Sequence, residues 1–105
     1  MTATVVVAET ARQQIRAADD WWRGNRPDSP TLFFSEVDAA LTLLATAPEI
    51  AALFRRGRRR GVRRLLLRRS RFHVYYTYDR SASLVLVVAI WGAVRGHGPP
   101  LAIGR

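Results

Sequence analysis

The 105-residue chain contains no cysteine and no lysine, and its only histidines are His73 and His97. The absence of cysteine excludes a disulfide framework, a thiolate metal site and a cysteine nucleophile. Any metal would have to rely on carboxylates, which are few and scattered along the sequence. We therefore predict neither a metal site nor a cofactor.

Long apolar segments are also missing. The longest run, Leu84–Val94, is broken by Gly92 and is much shorter than the roughly 20 residues needed to span a bilayer. The apolar start, Thr4–Ala8, is too short for a signal peptide and lacks a basic region before it. We expect a cytoplasmic protein without membrane contact, folded as one domain over residues 1–105.

Positive charge is concentrated in one part of the chain. The net charge of +9 divides into −3 for residues 1–54 (four arginines, seven acidic residues), +10 for 55–71 and +2 for 72–105 (three arginines, one aspartate). All 17 basic residues are arginine, whose planar guanidinium suits phosphates, carboxylates and aromatic faces. The segment 55–71 is therefore the first candidate for a binding surface.

The N-terminal residues predict a strand followed by a helix. Thr4–Ala8 is short and rich in valine, which is typical of a strand. Thr10 and Gln13 match a capping box, so we expect the first helix to begin there and to end at residues 24–27. The predicted apolar stripe of this helix consists of Ala11, Ile15, Ala18 and Trp22.

A second helix is predicted from residue 29 to Pro48. Ser29 fits the N-cap and Pro30 the first helical position, where its missing N–H costs little. The predicted stripe consists of Phe34, Val37, Leu41 and Leu44, with Phe33 and Ala40 beside it. Two helices joined by a short turn are expected to form an antiparallel hairpin that packs on another layer.

The C-terminal half changes to a period of two. After an expected exposed loop at Glu49–Gly61, the predicted strands are Val62–Arg68, Phe72–Tyr78 and Leu84–Trp91, joined by short connections that favour antiparallel pairing. Leu84–Ile90 is apolar on both faces, which predicts a central strand covered twice. Residues 92–105 are expected to be irregular. The resulting fold class is α+β, a β-α-α-β-β-β order with a helical hairpin on a mainly antiparallel sheet.

This order of elements resembles the RelE/ParE toxin superfamily of type II toxin–antitoxin modules, over nearly the whole chain. The resemblance rests on Ala8-x-x-Ala11, Trp21-Trp22 and Leu44 four residues before Pro48, and more strongly on three strand motifs. These are Gly61-Val62-Arg63-Arg64-Leu65, Phe72-His73-Val74-Tyr75-Tyr76 and Val85-Leu86-Val87-Val88-Ala89-Ile90-Trp91-Gly92.

The resemblance implies a toxin neutralised by a cognate, ParD-like antitoxin. One branch of the superfamily cleaves mRNA on the ribosome, and the ParE branch inhibits DNA gyrase. In the ribonuclease branch an arginine typically stands at the place of His73, a second basic residue follows the last strand, and a tyrosine or histidine closes the chain. Here Arg95 matches the second only with a shift of register, and no tyrosine follows Tyr78. These departures favour the ParE branch.

The arginine-rich segment has three open interpretations: a surface for an acidic antitoxin or another partner, direct contact with nucleic acid or the ribosome, or a solvated surface without a specific role. Trp21 and Trp22 are adjacent on one helix, so we expect one in the core and the other at a partner surface. The candidate partner-binding residues are Trp21, Trp22, Arg55, Arg56, Arg58, Arg59, Arg60, Arg63, Arg64, Arg68, Arg69, Arg71 and Arg95.

Whether the chain is an enzyme stays open. If it cleaves RNA, the reaction is expected to be metal-independent, with His73 as a general base because its ordinary pKa lies near neutrality. The candidate catalytic residues are then Arg63, Arg64, His73 and Arg95. The alternative for His73 is a surface strand histidine. A further alternative for the whole protein is a non-toxic, arginine-rich module that binds nucleic acid.

Overall fold

The computed structural model describes residues 2–55, with only the backbone of Arg55, and residues 61–93. The predictions for residues 56–60 and for the tail from 94 onward lie outside this range. The elements are β1 (Thr4–Val7), α1 (Glu9–Asn25), α2 (Leu32–Thr46), β2 (Leu53–Arg55), β3 (Val62–Leu67), β4 (Phe72–Asp79) and β5 (Leu84–Gly92). Neither described helix has the length and apolarity to cross a membrane.

All five strands form one sheet in the order β1-β5-β4-β3-β2. The N-terminal strand runs parallel to β5, with Thr4 opposite Leu84, and the other neighbours are antiparallel. This arrangement confirms the predicted α+β class and the mainly antiparallel sheet. The expectation of a loop throughout residues 49–61 is wrong at Leu53–Arg55, because these residues pair with β3 as a short edge strand.

The main core lies between the helical hairpin and one face of the sheet. The helices contribute Ala11, Trp22, Phe33, Val37, Ala40 and Leu44, and the sheet contributes Leu67, Val74, Tyr76, Val85, Val87 and Ile90. The predicted stripe of α1 is confirmed, since Ile15 and Ala18 pack beside the buried Ala11 and Trp22. We call the opposite side of the sheet the open face.

Neither predicted helix start is correct. The first helix begins at Glu9, and Ala8 occupies the N-cap position without a side-chain hydrogen bond. The Ala8 N–H donates to the carbonyl of Val87, so the turn out of β1 is held by backbone pairing and needs no capping box. The second helix begins at Leu32 after a turn, and the carbonyl of Ser29 accepts the Trp22 indole N–H at 2.7 Å.

The predicted core face of α2 is rotated. Phe33 is fully buried and its ring centre lies 4.8 Å from that of Phe72, whereas Phe34 is 51% exposed. Val37 and Leu44 are buried as predicted, but Ala40 takes the core position expected of Leu41. The small side chain of Ala40 allows close packing there. The prediction that Phe34 belongs to the core is therefore wrong.

A register shift in β5 determines which of its side chains lie in the main core. Tyr75 lies opposite Ala89 but Tyr76 lies opposite Val87, so Val88 is an extra residue. An extra residue reverses the alternation beyond it. Val87 and Ile90 therefore both join the main core, and Ala89 joins Val62 and Tyr75 in a smaller cluster on the open face. Among the described residues no helix packs on this face, although Ala89 is buried there, so the expectation that β5 is covered twice stays a prediction.

Candidate functional site

The paired strands β3 and β4 separate the candidate arginines onto two sides of the sheet. Arg64 pairs with Tyr75, and Leu66 pairs with His73. Because side chains alternate along a strand, these residues share the open face, while Arg63 points to the helix side with Leu65 and Leu67. Alternation along β3 separates Arg63 from Arg64 and gives the two arginines different surroundings.

The open face carries a compact cationic and aromatic group, which we call the open-face cluster: Phe54, Arg64, His73 and Tyr75. The guanidinium of Arg64 lies 4.5 Å from the centre of the Phe54 ring, a cation–π contact. Phe54 meets the buried Tyr75 edge to face at 5.2 Å, and His73 lies 5.9 Å from Tyr75. The cluster therefore brings together two of the four candidate catalytic residues.

The surroundings of His73 in this cluster favour its neutral form over its charged form. Burial lowers the pKa of His73 below its ordinary value of 6.5, and the positive charges of Arg64 and Arg71 lower it further. A neutral imidazole can accept a proton at neutral pH, as a general base must. It cannot supply the positive charge that an arginine at the same place would offer to a phosphate.

The structure gives Arg63 a role inside the fold. Its guanidinium donates to the carbonyl of Ala51 at 2.7 Å and to that of Glu49 at 3.3 Å, and lies 3.5 Å from the Glu49 carboxylate. Glu49 also accepts a hydrogen bond from Arg80 at 2.6 Å. These contacts hold the segment before β2 against β3, so Arg63 is committed to the fold and is not brought to the open-face cluster.

A second group lies between α1, the start of β4 and the end of β5. We call it the tryptophan cleft, a concavity of about 630 Å³ whose lining includes Trp21, Trp22, Arg26, Arg69, Arg71 and Trp91. Trp22 is buried and Trp21 is 51% exposed, which confirms that the two tryptophans divide between core and surface. The guanidinium of Arg26 lies 5.6 Å from the centre of the Trp21 ring and 5.8 Å from that of Trp22.

The β3–β4 turn presents further arginines beside this cleft. Arg68, Arg69 and Arg71 are exposed, and Arg71 has a positive φ of 65°. The Glu36 carboxylate accepts the backbone N–H of Arg69 at 3.0 Å and that of Ser70 at 2.8 Å. The turn is thus fixed to α2 through its backbone, and the guanidinium groups remain directed outward.

The remaining candidates cannot be placed by side chain. Arg55 belongs to β2, and only its backbone is described. Arg56, Arg58, Arg59, Arg60 and Arg95 lie outside the described residues. The described chain therefore presents two groups, the open-face cluster and the tryptophan cleft with the adjacent turn, and Arg71 lies near both because it lines the cleft and its charge acts on His73.

Sequence reasoning overlooked several residues of these groups. Arg26 had a usable signal, since it follows Trp22 by four residues and side chains at that spacing meet on a helix. Glu36 had none, because its partners Arg69 and Ser70 lie more than thirty positions away. Phe54 was overlooked because strand β2 was not predicted. Trp91 was overlooked because the extra residue in β5 changes the side of the sheet on which it lies.

Comparisons with known proteins agree with this architecture. The crystal structure of the toxin–antitoxin complex RelBE2 from Mycobacterium tuberculosis has a chain similar to this one, with a TM-score of 0.58 and 19% identity over 88% of this chain and 99% of that one. A mutant of the E. coli toxin RelE in the free state is similar with a TM-score of 0.55 and 19% identity, over 91% of this chain and 88% of that one. At such identity these two structures support the fold.

The sequence itself gives the family. No curated protein matches the chain. The family described as the ParE toxin of the type II toxin–antitoxin system, parDE, matches residues 5–95, which include every described strand and helix apart from the first residue of β1. The chain therefore belongs to the ParE toxin family of type II toxin–antitoxin systems.

Proposed function

We propose that the free protein inhibits DNA gyrase by binding it and that an acidic, ParD-like antitoxin holds it inactive. The observation that carries the choice of gyrase over RNA is that a histidine, His73, stands where the ribonuclease branch typically has an arginine. Metal-free RNA cleavage needs positive charge to stabilise the phosphate in the transition state. Burial and the neighbouring arginines lower the pKa of His73, which disfavours positive charge at that place and supports a binding protein over a nuclease.

The exposed turn arginines support the acidic partner. Arg68, Arg69 and Arg71 project from one turn, and none forms an ion pair with another described residue. Carboxylates of an amphipathic antitoxin segment would pair with these guanidinium groups while its apolar side meets the hairpin and sheet. Complementary charge of this kind accelerates association, and salt weakens it.

Gyrase-driven DNA supercoiling, measured with the purified protein, tests the first part. We expect the free protein to inhibit supercoiling and an excess of its cognate antitoxin to restore the activity. Growth arrest on expression, relieved by co-expression of the antitoxin, is the matching result in cells. Undiminished supercoiling at saturating protein would contradict the gyrase proposal.

The partner surface is tested by Arg68→Gln/Arg69→Gln/Arg71→Gln. The control Arg12→Gln/Arg16→Gln/Arg23→Gln removes the same charge from exposed positions of α1. We expect the turn variant to weaken antitoxin binding by at least tenfold, and the control by less than threefold. Equal effects of the two variants would show that only net charge matters.

A second candidate is a ribosome-dependent mRNA endonuclease, and the open-face cluster is what favours it. The neutral His73 lies on one sheet face with Arg64 and Tyr75, so a base and a cation are near each other. Translation-coupled cleavage of mRNA, measured with the wild type and with His73→Gln, distinguishes the two candidates. Cleavage by the wild type that disappears in the variant would establish the nuclease and displace gyrase as the target.

A further inference from the structure

The tryptophan cleft has the size and walls of a small-molecule site. Its volume of about 630 Å³ falls within the range of roughly 300–1,000 Å³ that such sites occupy. Trp22, Phe72 and Ile90 give it apolar walls, and Ala17 and Ala18 of α1 line it as well. Because the alanine side chains are short, the helix leaves open space beside the aromatic rings, where a flat ring can lie.

A polar group of fixed orientation lies in the same cleft. The Oε1 atom of Gln14 accepts the backbone N–H of Ile90 at 2.8 Å, which determines which way the amide points. Its amide nitrogen, with two N–H donors, makes no hydrogen bond to another described residue. Gln14 lines the cleft, so these donors are available to a carbonyl or ring nitrogen of a bound molecule.

The mouth of the cleft is positively charged. Arg26, Arg69 and Arg71 line it, and no aspartate or glutamate does among residues 2–55 and 61–93. Arg26 is already placed over the Trp21 and Trp22 rings. Glu36 accepts the backbone N–H groups of Arg69 and Ser70 and thereby fixes the turn, and neither the Arg69 nor the Arg71 guanidinium forms an ion pair with another described residue. Guanidinium groups presented in this way match the oxygens of a phosphate.

We propose that the tryptophan cleft binds a nucleoside phosphate, with the base on the exposed Trp21 ring beside the apolar wall, Gln14 donating to the base, and the phosphate on Arg69 and Arg71. An acidic peptide would satisfy the arginines alone, whereas a nucleotide uses the aromatic walls, the amide donor and the arginines together. The nucleotide is either free or part of a single strand. This binding does not depend on the identity of the toxin's target.

Trp21 and Trp22 line the cleft, so their indole N–H signals in a ¹H–¹⁵N NMR spectrum report on it, and the signal of Trp91, which packs with the open-face residues Val62 and Tyr75, serves as a reference. The full-length protein is titrated with AMP, with adenosine, with inorganic phosphate and with a 5′-phosphorylated single-stranded DNA hexamer. We expect saturable shifts with AMP at millimolar or lower concentration. Adenosine and phosphate should each bind at least tenfold more weakly than AMP.

Titration with the single-stranded DNA hexamer distinguishes a free nucleotide from a nucleic acid strand as the ligand. Binding of the hexamer that is much tighter than that of AMP and falls steeply with salt identifies a nucleic acid strand as the source, because each phosphate contact releases counterions. Equal affinity identifies a free nucleotide. Both results support the site. The proposal would be overturned if neither AMP nor the hexamer shifted the indole signals, or if adenosine and AMP shifted them equally.

A matched pair of variants locates the phosphate. Arg69→Gln/Arg71→Gln should weaken AMP binding at least tenfold, and Arg12→Gln/Arg16→Gln, which removes the same charge from exposed positions of α1 away from the cleft, should leave it within twofold. The comparison of AMP with adenosine in the wild type gives the same information without any variant. Nucleotide binding that is equal in both double variants would contradict the proposal.

Discussion

Glu36 connects α2 to the β3–β4 turn by accepting two backbone N–H groups. Glu36→Gln replaces the carboxylate with an amide whose single oxygen accepts less strongly. We expect the free energy of unfolding to fall by about 1–2 kcal/mol, the lower range for hydrogen bonds to a charged group because this one is partly exposed. Urea unfolding measures it, and Asp38→Asn, an exposed change in the same helix, should stay within about 0.5 kcal/mol.

The same carboxylate gives a pH dependence with a defined sign. Burial raises the pKa of Glu36, but hydrogen bonds from the Arg69 backbone and from Ser70 outweigh it, so the pKa lies below the ordinary glutamate value of 4.5. A carboxyl group whose pKa is lower in the folded than in the unfolded state stabilises the fold at pH values above the unfolded-state pKa. This stability is lost as the pH falls through the folded-state pKa. The stability difference between wild type and Glu36→Gln should therefore shrink below pH 4.5, and a constant difference would contradict the assignment.

Tyr76 provides a second test inside the core. Its hydroxyl accepts the Ala51 N–H at 3.4 Å while its ring is fully buried. Tyr76→Phe keeps the ring and removes the acceptor, so we expect a loss of about 1 kcal/mol in unfolding free energy. Tyr78→Phe, on the same side of β4 but only partly buried, is the control and should change stability by less than about 0.5 kcal/mol. If both variants match the wild type, the hydrogen bond contributes nothing.

The orientation of α2 is tested by its two adjacent phenylalanines. Phe33 is fully buried, so Phe33→Ala should lower the unfolding free energy by about 3–5 kcal/mol. Phe34→Ala removes a ring that is 51% exposed and should cost less than about 1 kcal/mol. Should Phe33→Ala prevent folding, Phe33→Leu is expected to remain folded with a loss of about 1–2 kcal/mol. A larger loss at Phe34 would mean that the helix is rotated as the sequence alone suggested.

The elements that the sequence predicted well are those with strong local signals. The meander strands begin as expected because Val62, Phe72 and Leu84 are each the first large apolar residue after polar or glycine residues. The helix starts failed because local capping patterns at Thr10 and Ser29 lost to long-range contacts, namely the Val87 carbonyl and the Trp22 indole. Strand β2 was missed because three residues carry no period and gain their structure by pairing with β3.

The candidate site was likewise predictable only where a local pattern determines it. Alternation along β3 separates Arg63 from Arg64, and the structure agrees, but the register with β4 that puts His73 on the side of Arg64 is not contained in the local pattern. The tryptophan cleft was not predictable, because it joins Trp21 and Arg26 of α1 to Arg71 and Trp91 at the ends of two strands. Only the tertiary fold brings these side chains together.

The charge of the whole molecule gives a prediction of its own. With a net charge of +9, mutual repulsion opposes folding, and salt screens it as the Debye length falls from about 10 Å at 0.1 M to 3 Å at 1 M. We expect the thermal midpoint to rise by roughly 4–8 °C across that range, the equivalent of about 1 kcal/mol. Calorimetry measures it at the two salt concentrations.

The control for this effect is Arg56→Gln/Arg58→Gln/Arg59→Gln/Arg60→Gln, which lowers the net charge from +9 to +5. Because repulsion grows faster than linearly with charge, the variant should show at most half of the salt-dependent rise. A rise of equal size in both proteins would attribute the effect to general salt action on apolar surface.

The parallel pairing of β1 with β5 has a consequence for synthesis on the ribosome. Thr4 and Leu84 are separated by 80 positions in the chain, yet they are neighbours in the sheet. An emerging polypeptide can form its helical hairpin early, but the sheet on which the hairpin packs is completed only when Leu84–Gly92 has been translated. Premature termination before Leu84 leaves the N-terminal strand without its partner, so truncated products should be unfolded and harmless to the cell that makes them.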